Sequence, residues 1–349
     1  MRATIKDIAE RVGVSKSLVS MYLNNHPLSA RIAEKTKKRI REAVQEMNYQ
    51  PSQTARALKN GKSKTIGLVI AEISGIYTSF YTQSLMYEAL NYNYQLLISL
   101  TRFNQEGEKK CLANLINRQT DGTIYSPHLI PDDRIRTLLS GYPILLSNII
   151  LPEYNTYTLE QDSALYQALL QMKNAGCRRL CGLFMTSSDH WNSFSEEICR
   201  ELGMEFSSIQ YYQKSAEEIY RQLVSIGPDF ALCGSSTFPN KLILFCQENG
   251  IRELPRFVYS YTLPNDFIDH DSVFGVIVNP FKPQVKERMA RIIEMIEHPE
   301  TGIRHLTIPT RFLNREELRD YYREQAEDPY YKTIIEERGY VLNRKGCGR

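Results

Sequence analysis

Thr4-Ile5-Lys6-Asp7-Ile8-Ala9, then Val14-Ser15-Lys16-Ser17-Leu18-Val19-Ser20, and after a basic stretch Pro51-Ser52-Gln53-Thr54-Ala55-Arg56-Ala57-Leu58, decide how this chain is built. The first two segments read as two short helices a tight turn apart. Thr4 suits a helix N-cap, and Asp7 three residues on suits the helix's positive end. Ile5, Ile8, Ala9 and Val12 fall on one face. Gly13 ends that helix because only glycine turns left-handed without steric cost, and Ser15 caps the next. Leu18, Val19 and Leu23 then face inward, leaving Lys16, Ser17 and, one turn later, Met21 outward.

Working outward, a third helix is expected from about Ile32 to Asn48. Ile40, Ala43, Val44 and Met47 recur there at helical spacing under Lys35, Lys37, Lys38, Arg39 and Arg41. Up to residue 64 there are fourteen Lys and Arg against five Asp and Glu, a net of +9, which leaves −6 on the rest of a chain whose total is +3. A basic end on an otherwise acidic chain is the electrostatic footprint of a part that approaches phosphates. The helix expected from Pro51 to Lys59 stops at Asn60-Gly61. It falls below the roughly 12 residues an isolated helix needs, so a partner must order it.

Two helices in this arrangement are what a major-groove reader needs, with the N-terminal residues of the second entering the groove. Lys16 can reach guanine O6 and N7, Ser17 can donate or accept, and Met21 offers apolar contact, as to a thymine methyl. Thr4, Ser15, Ser20 and Asn24 read as phosphate-backbone partners, which fix register without reading sequence. Each of these has a plainer reading as an ordinary surface residue.

The stretch from Thr4 to Leu68 resembles the lactose and galactose repressor family of bacterial transcription regulators. It carries that family's T-I-K-D-I-A, G-V-S-x-x-x-V-S, N-Y-x-P-x-x-x-A-R-x-L and I-G-L motifs in order. By that resemblance Leu58 would be the hinge leucine that wedges into the minor groove at the operator centre, with Ala55 and Lys59 beside it and Arg56 on the backbone. An apolar wedge of that kind unstacks a base step and bends the duplex. Two departures stand out. His26-Pro27-Leu28-Ser29-Ala30 lengthens the loop before the third helix, and Ala33 stands where a capping Ser is usual.

From residue 65 short apolar runs alternate with longer amphipathic segments. Strands are expected at 65–71, 95–100, 122–126, 144–147, 179–185, 209–212, 230–233, 257–261 and 275–278. Helices are expected near 77–93, 105–118, 161–175, 192–202, 215–226, 239–250 and 282–297. Such alternation implies parallel sheets covered by helices on both faces. The predicted fold is thus a small all-α helix-turn-helix headpiece (1–50), a hinge and linker (51–64), and an α/β core of two doubly wound, Rossmann-like lobes. One lobe takes 65–162 plus 281–303, the other 163–280 plus 304–325, and a tail runs over 326–349. Asp121-Gly122-Thr123-Ile124, Gly176-Cys177-Arg178-Arg179-Leu180 and Leu306-Thr307-Ile308-Pro309 continue the resemblance, which implies a periplasmic-binding-protein-like core that dimerises and senses a small molecule.

Ligands of doubly wound sheets bind outside the carboxyl ends of the strands. Carried over by resemblance, the arginine that usually grips sugar hydroxyls or purine falls near His190, and the usual acids become Ser147 and Thr262. The usual Asn-Asp pair becomes Ser235-Ser236. With Asn279 and the aromatics Tyr77, Phe80, Trp191, Tyr212, Tyr261 and Phe281, any of which can equally be core, the pocket lacks the charged groups a sugar wants. The expected effector is less hydroxylated and more apolar or aromatic than a free hexose. The alternative is an architectural or constitutive DNA-binding regulator with a degenerate core that senses nothing.

Other classes find no support. Gly61-Lys62-Ser63 ends like a phosphate-binding loop, but Arg56 stands at the required glycine and the segment precedes a strand. Six scattered histidines show no H-E-x-x-H and no G-x-S-x-G occurs, so no enzyme, metal or cofactor is expected. The seven cysteines are odd in number, scattered and set mostly among apolar residues, as in a reducing compartment. No apolar run approaches the roughly 20 residues that span a bilayer. Met1-Arg2-Ala3 leads straight into an amphipathic helix, so no secretory signal is expected. The partners expected are double-stranded operator DNA, a small-molecule effector and a second copy of the chain in a bacterial cytoplasm, associated with the nucleoid and not with a membrane.

Overall fold

In the computed structural model the described residues are 3–24, 26–50, 61–73, 76–128, 130–184, 190–235, 237–261 and 270–328. The expected hinge helix, with Ala55, Arg56, Leu58 and Lys59, lies outside them, as do Thr262, Ser236 and the tail from 329 on. Two compact units are distinguished, one up to Thr65 with residues 119–121, the other comprising the remaining chain.

The first unit contains helices α1 (Ile5–Val12), α2 (Lys16–Leu23) and α3 (Glu34–Glu46), with a 3₁₀ turn Pro27–Arg31 before α3. Thr4 and Asp7 form a reciprocal capping box, Gly13 adopts φ 71° with its N–H returned to Ala9 and Glu10 carbonyls, and the Ser15 side chain accepts from the Leu18 amide. Ile8, Ala9, Val12, Val19, Ile40 and Ala43 make the core. The lengthened loop is the 3₁₀ turn itself: Pro27 is pre-set for its first position, and His26 Nδ1 accepts from the Leu28 amide at 3.2 Å. Ala33 is the N-cap of α3 and makes no side-chain cap.

The second unit holds two six-stranded sheets. Strands are β1 (Thr65–Ile70), β2 (Gln95–Leu100), β3 (Gly122–Tyr125), β4 (Ile144–Ser147), β5 (Asn155–Glu160), β6 (Arg179–Phe184), β7 (Glu205–Gln210), β8 (Phe230–Cys233), β9 (Arg256–Tyr261), β10 (Val273–Val278), β11 (His305–Pro309) and β12 (Arg311–Asn314). Helices are α4 (Ile76–Asn91), α5 (Gln105–Asn117), α6 (Asp133–Leu139), α7 (Asp162–Asn174), α8 (His190–Glu201), α9 (Ala216–Ile226), α10 (Thr237–Glu248), α11 (Phe281–Glu297) and α12 (Arg315–Glu327). The first sheet runs β11-β5-β4-β3-β1-β2, the second β12-β10-β9-β8-β6-β7.

This is the predicted pair of doubly wound lobes, with differences. Strands β5, β11 and β12 and helices α6 and α12 were not expected, and β7 begins four residues before the expected 209–212. The expected assignment of 304–325 to the second lobe is corrected at its start: β11 pairs in parallel with β5, so residues 305–309 belong to the first sheet. Only Thr310 separates β11 from β12, which enters the second sheet and pairs antiparallel with β10. The reversal has a geometric cause. A chain leaving the carboxyl edge of one sheet and entering the carboxyl edge of the other must run against the second sheet's strands.

The three crossovers are therefore neighbours. The Thr310 amide and hydroxyl both donate to the Glu160 carbonyl, at 3.0 and 2.9 Å. Gln161 Nε2 donates to Asn279 Oδ1 at 3.3 Å, linking the first crossover to the second. Among the described residues no helix is long and apolar enough to cross a membrane.

Candidate nucleic-acid interface and inter-lobe cleft

On α2 the outward residues are as the spacing requires: Lys16 and Ser17 are exposed, Met21 and Ser20 half-buried, and Asn24 exposed. Asn24 Nδ2 donates to the Ser20 carbonyl at 2.8 Å and to its hydroxyl at 3.2 Å, closing the helix end. The hydroxyls of Thr4 and Ser15 serve their own helix caps. The basic face of α3 divides by role. Arg39 Nη2 donates to the Val12 carbonyl at 2.6 Å, satisfying the end of α1, and Lys37 pairs with Glu34 at 2.7 Å. Lys38 reaches Glu42 only at 3.9 Å with both side chains mostly in water, a surface pair worth little. Exposed cation therefore remains on this face.

In the second unit, strand ends deliver the expected residues in two groups. Around the start of α11, Phe281 meets the Phe80 ring edge-on at 5.9 Å and the Tyr77 ring at 6.3 Å. Phe80 and Phe281 are both closed from solvent in the first lobe's core, so the core reading describes them, whereas Tyr77 keeps 37 % of its surface exposed. Ser147 ends β4 at 1 % exposure.

The second group joins the crossovers. Trp191 Nε1 donates to Gln161 Oε1 at 3.2 Å, Gln161 continues to Asn279, and Asn279 Nδ2 donates to Ser260 Oγ at 2.8 Å. His190 Nε2 lies 2.7 Å from Asp162 Oδ1, with both side chains more than half exposed. Trp191 itself is buried in the second lobe's core. Tyr212 is exposed and Ser235 half-buried, and neither is joined to these groups by a described hydrogen bond to one of their residues. Of Tyr261 only the backbone, at the end of β9, is described.

The sequence reading missed Gln161, Asp162 and Ser260 of this network, and a further set under α11. Gln284 and Arg288 are fully buried there, at 0 and 2 % exposure. Tyr77 Oη donates to Gln284 Oε1 at 3.1 Å, and Arg288 Nη1 donates to the same oxygen at 3.1 Å. The Arg288 guanidinium lies over the Tyr157 ring at 4.0 Å and the Tyr81 ring at 5.2 Å. A signal existed: Phe281, Val285, Met289 and Ile292 form the apolar stripe of this helix, and Gln284 and Arg288 fall on it.

A separate cavity of about 350 Å³ opens at the amino ends of β4 and β5, between Tyr142, Glu153, Asn155 and Met295. Its polar groups are mutually engaged: Arg136 pairs with Glu153, Tyr154 Oη donates to the Arg136 carbonyl, and Asn155 Oδ1 accepts from Arg291. It lies at the edge opposite the crossovers and is not the cleft. Among the described residues, no group of three or more His, Cys, Asp or Glu could hold a metal ion.

Comparison with known proteins agrees with this architecture. Residues 4–52 match the family model described as bacterial regulatory proteins, lacI family. The sucrose operon repressor of Klebsiella pneumoniae is 38 % identical over 145 residues, 42 % of this chain and 43 % of that protein. Catabolite control protein A of Priestia megaterium is 26 % identical over 183 residues, 52 % of this chain and 54 % of that one. These matches span about half the length of the relatives. Among solved structures, a lac repressor dimer bound to operator and the anti-inducer ONPF superposes with a TM-score of 0.75 at 16 % identity, covering 91 % of this chain and 99 % of that one. A LacI-family transcriptional regulator from Silicibacter pomeroyi gives 0.73 at 18 %, covering 89 % and 98 %. Identities this low establish the shared fold.

Proposed function

We propose, from the match of residues 4–52 to the family model of bacterial regulatory proteins, lacI family, that this chain is a sequence-specific DNA-binding transcription regulator of that family, a repressor rather than an enzyme. The observation that carries the reading is the pair of capped helices around the left-handed Gly13, which leaves Lys16 and Ser17 exposed at the start of α2. Lys16, Ser17 and Met21 read base edges in the major groove, and Thr4, Ser15, Ser20 and Asn24 contact the backbone. Arg56 on the backbone and Ala55, Leu58 and Lys59 in the minor groove complete the grip. The protein works in the bacterial cytoplasm on the nucleoid.

Binding as a homodimer to a pseudopalindromic operator is favoured by one face of the first lobe. Met86, Tyr87 and Leu90 of α4 are 45, 55 and 58 % exposed at helical spacing. Beside them β2 is an edge strand with half-exposed Leu96, Leu97 and Ile98. An apolar edge strand left in water invites pairing, so a second copy is its natural cover.

A small molecule held between the lobes controls the protein. The groups at the carboxyl edges support that reading, with aromatics, Ser147, His190 and Asn279 in place of paired carboxylates.

The test is Lys16→Ala, measured by DNA binding on operator variants and on random DNA. Operator affinity is expected to fall by about 1–3 kcal/mol, with relaxed preference at one base position. Equal losses on operator and random DNA refute the groove assignment.

A further inference from the structure

We infer that the buried polar cluster under α11 is an anion-binding pocket, built around Arg288, that receives the carboxylate of the effector; the inference rests on the effector-sensing reading above. Arg288 is 2 % exposed and, among the described residues, has no ion-pair partner. Its neighbours are a neutral amide oxygen, the Tyr77 and Tyr81 hydroxyls and two aromatic rings, and the nearby Glu287 carboxylate forms no salt bridge with it. Burying a guanidinium with so little compensation is costly, and such a charge ordinarily has an anion beside it.

The atoms around it ask for the same occupant. Arg288 Nε, Gln284 Nε2, Ser147 Oγ, Tyr81 Oη and Tyr157 Oη are each closed from solvent and make no hydrogen bond of good geometry, the Tyr81 hydroxyl standing beside both Arg288 and Ser147. Five unsatisfied buried polar atoms in one place require an explanation. All five can donate, and burial keeps the phenols protonated, pushing Tyr81 up to about 12 and Tyr157 higher still. Ser147 and Tyr157 are register partners on neighbouring strands, so their positions are set by the sheet. A donor-rich, singly positive site matches a planar monoanion that accepts several hydrogen bonds, which is a carboxylate. A phosphate brings nearly two charges to a single guanidinium. The body attached to that carboxylate meets the exposed ring of Tyr77, and is therefore apolar or aromatic.

Tyr77 is the cover. It is 37 % exposed, and its hydroxyl spends itself on the Gln284 oxygen that Arg288 also uses. Entry requires this ring to swing aside, which releases Gln284 to turn its amide toward the anion.

Thermal unfolding of the full-length protein tests the pocket, with formate against formamide and phenylacetate against phenylacetamide at matched ionic strength, and inorganic phosphate as a separate arm. Each carboxylate is expected to raise Tm by about 2 °C or more over its amide at saturation. Arg288→Met should abolish that increment, and the isosteric Tyr157→Phe, which removes one donor and keeps the ring, should reduce it. Equal Tm values in carboxylate and amide, or an increment that survives Arg288→Met and Tyr157→Phe, overturn the pocket. A larger rise with phosphate than with either carboxylate overturns the assignment of the anion. Operator binding measured on the same samples separates the two readings. A protein that binds DNA without any carboxylate increment loses the pocket alone, and one that shows the increment yet binds no DNA loses the regulator reading.

Discussion

Asp121→Ala is expected to destabilise the protein by about 2–3 kcal/mol, a figure that can be worked from three hydrogen bonds. Asp121 Oδ1 accepts from the Ser63 amide at 2.7 Å and the Ser63 hydroxyl at 2.9 Å, and Oδ2 accepts from the Lys64 amide at 2.9 Å. Hydrogen bonds to an ionised group contribute about 1.5–3 kcal/mol each when buried. The two at Ser63 are part-buried, so about 1 kcal/mol each is reasonable, and the exposed Lys64 amide recovers most of its loss from water. Lys64 also sits at φ 54°, a left-handed conformation that a lysine holds only against a local cost, and the carboxylate is what fixes its amide. Asp121→Asn gives the internal control. It can keep the Oδ1 contacts but turns an NH₂ donor toward the Lys64 amide, and is expected to cost about 1 kcal/mol. Urea titration of the full chain reads both, as a lower midpoint at unchanged m. Alanine costing under about 0.5 kcal/mol, or asparagine costing as much as alanine, refutes the reasoning.

Two further outcomes follow from the helix ends. Ala33 holds extended N-cap geometry at φ −55° and ψ 139° without a side-chain bond. Ala33→Ser should therefore stabilise the first unit by about 1 kcal/mol, visible in amide hydrogen exchange along α3, and an unchanged exchange rate counts against it. The capping-box acids Asp7 and Glu218 are held below their usual carboxylate range by Thr4 and Ser215, which donate to them. A depressed carboxyl contributes its stability above the unfolded pKa and loses it as pH falls through the folded one. Fraying of α1 and α9 should thus set in on the acid side of the ordinary carboxylate range, and Asp7→Asn and Glu218→Gln should flatten that dependence in circular dichroism titrations.

How far the molecule was legible depended on whether a residue's neighbours lie nearby in sequence. The headpiece was read almost residue by residue because caps, the Gly13 turn and a helical stripe are all local. Strand β5 was missed for the opposite reason. Asn155-Thr156-Tyr157-Thr158-Leu159-Glu160 looks too polar for a sheet interior, yet Thr156 meets His305 at 2.9 Å and Thr158 meets Thr307 at 3.2 Å, partners some 150 positions away. Strand β11 was missed with it, since each makes sense only beside the other. In the candidate site, His190, Trp191 and Asn279 were named on their own and proved to be linked through Asp162 and Gln161, which no spacing rule selects. Arg288 was legible in principle. A charged residue on an apolar helical stripe breaks the pattern, and such breaks concentrate where function overrides packing.

The crossovers indicate how a ligand between the lobes would act. Thr310 is fastened to Glu160, Gln161 to Asn279 and Trp191, and Asn279 to Ser260, so the three connections form one hydrogen-bonded unit rather than three independent hinges. A net hydrogen bond contributes about 1 kcal/mol, and the coupling between two sites in a regulated protein is typically 1–3 kcal/mol. Exchanging one to three bonds of this unit on lobe movement is therefore enough to carry the whole effect. The carboxyl-edge groups flank the unit from both sides: His190, paired with Asp162, lies beside it on the second lobe, and Phe281 and Arg288 follow it on the first. An effector anion bound as proposed would draw Arg288 and Gln284 toward itself and so act on α11, which begins two residues after Asn279. Replacing Gln161 by leucine, which removes the central link, is thus expected to weaken the response of DNA binding to effector while leaving DNA affinity without effector intact.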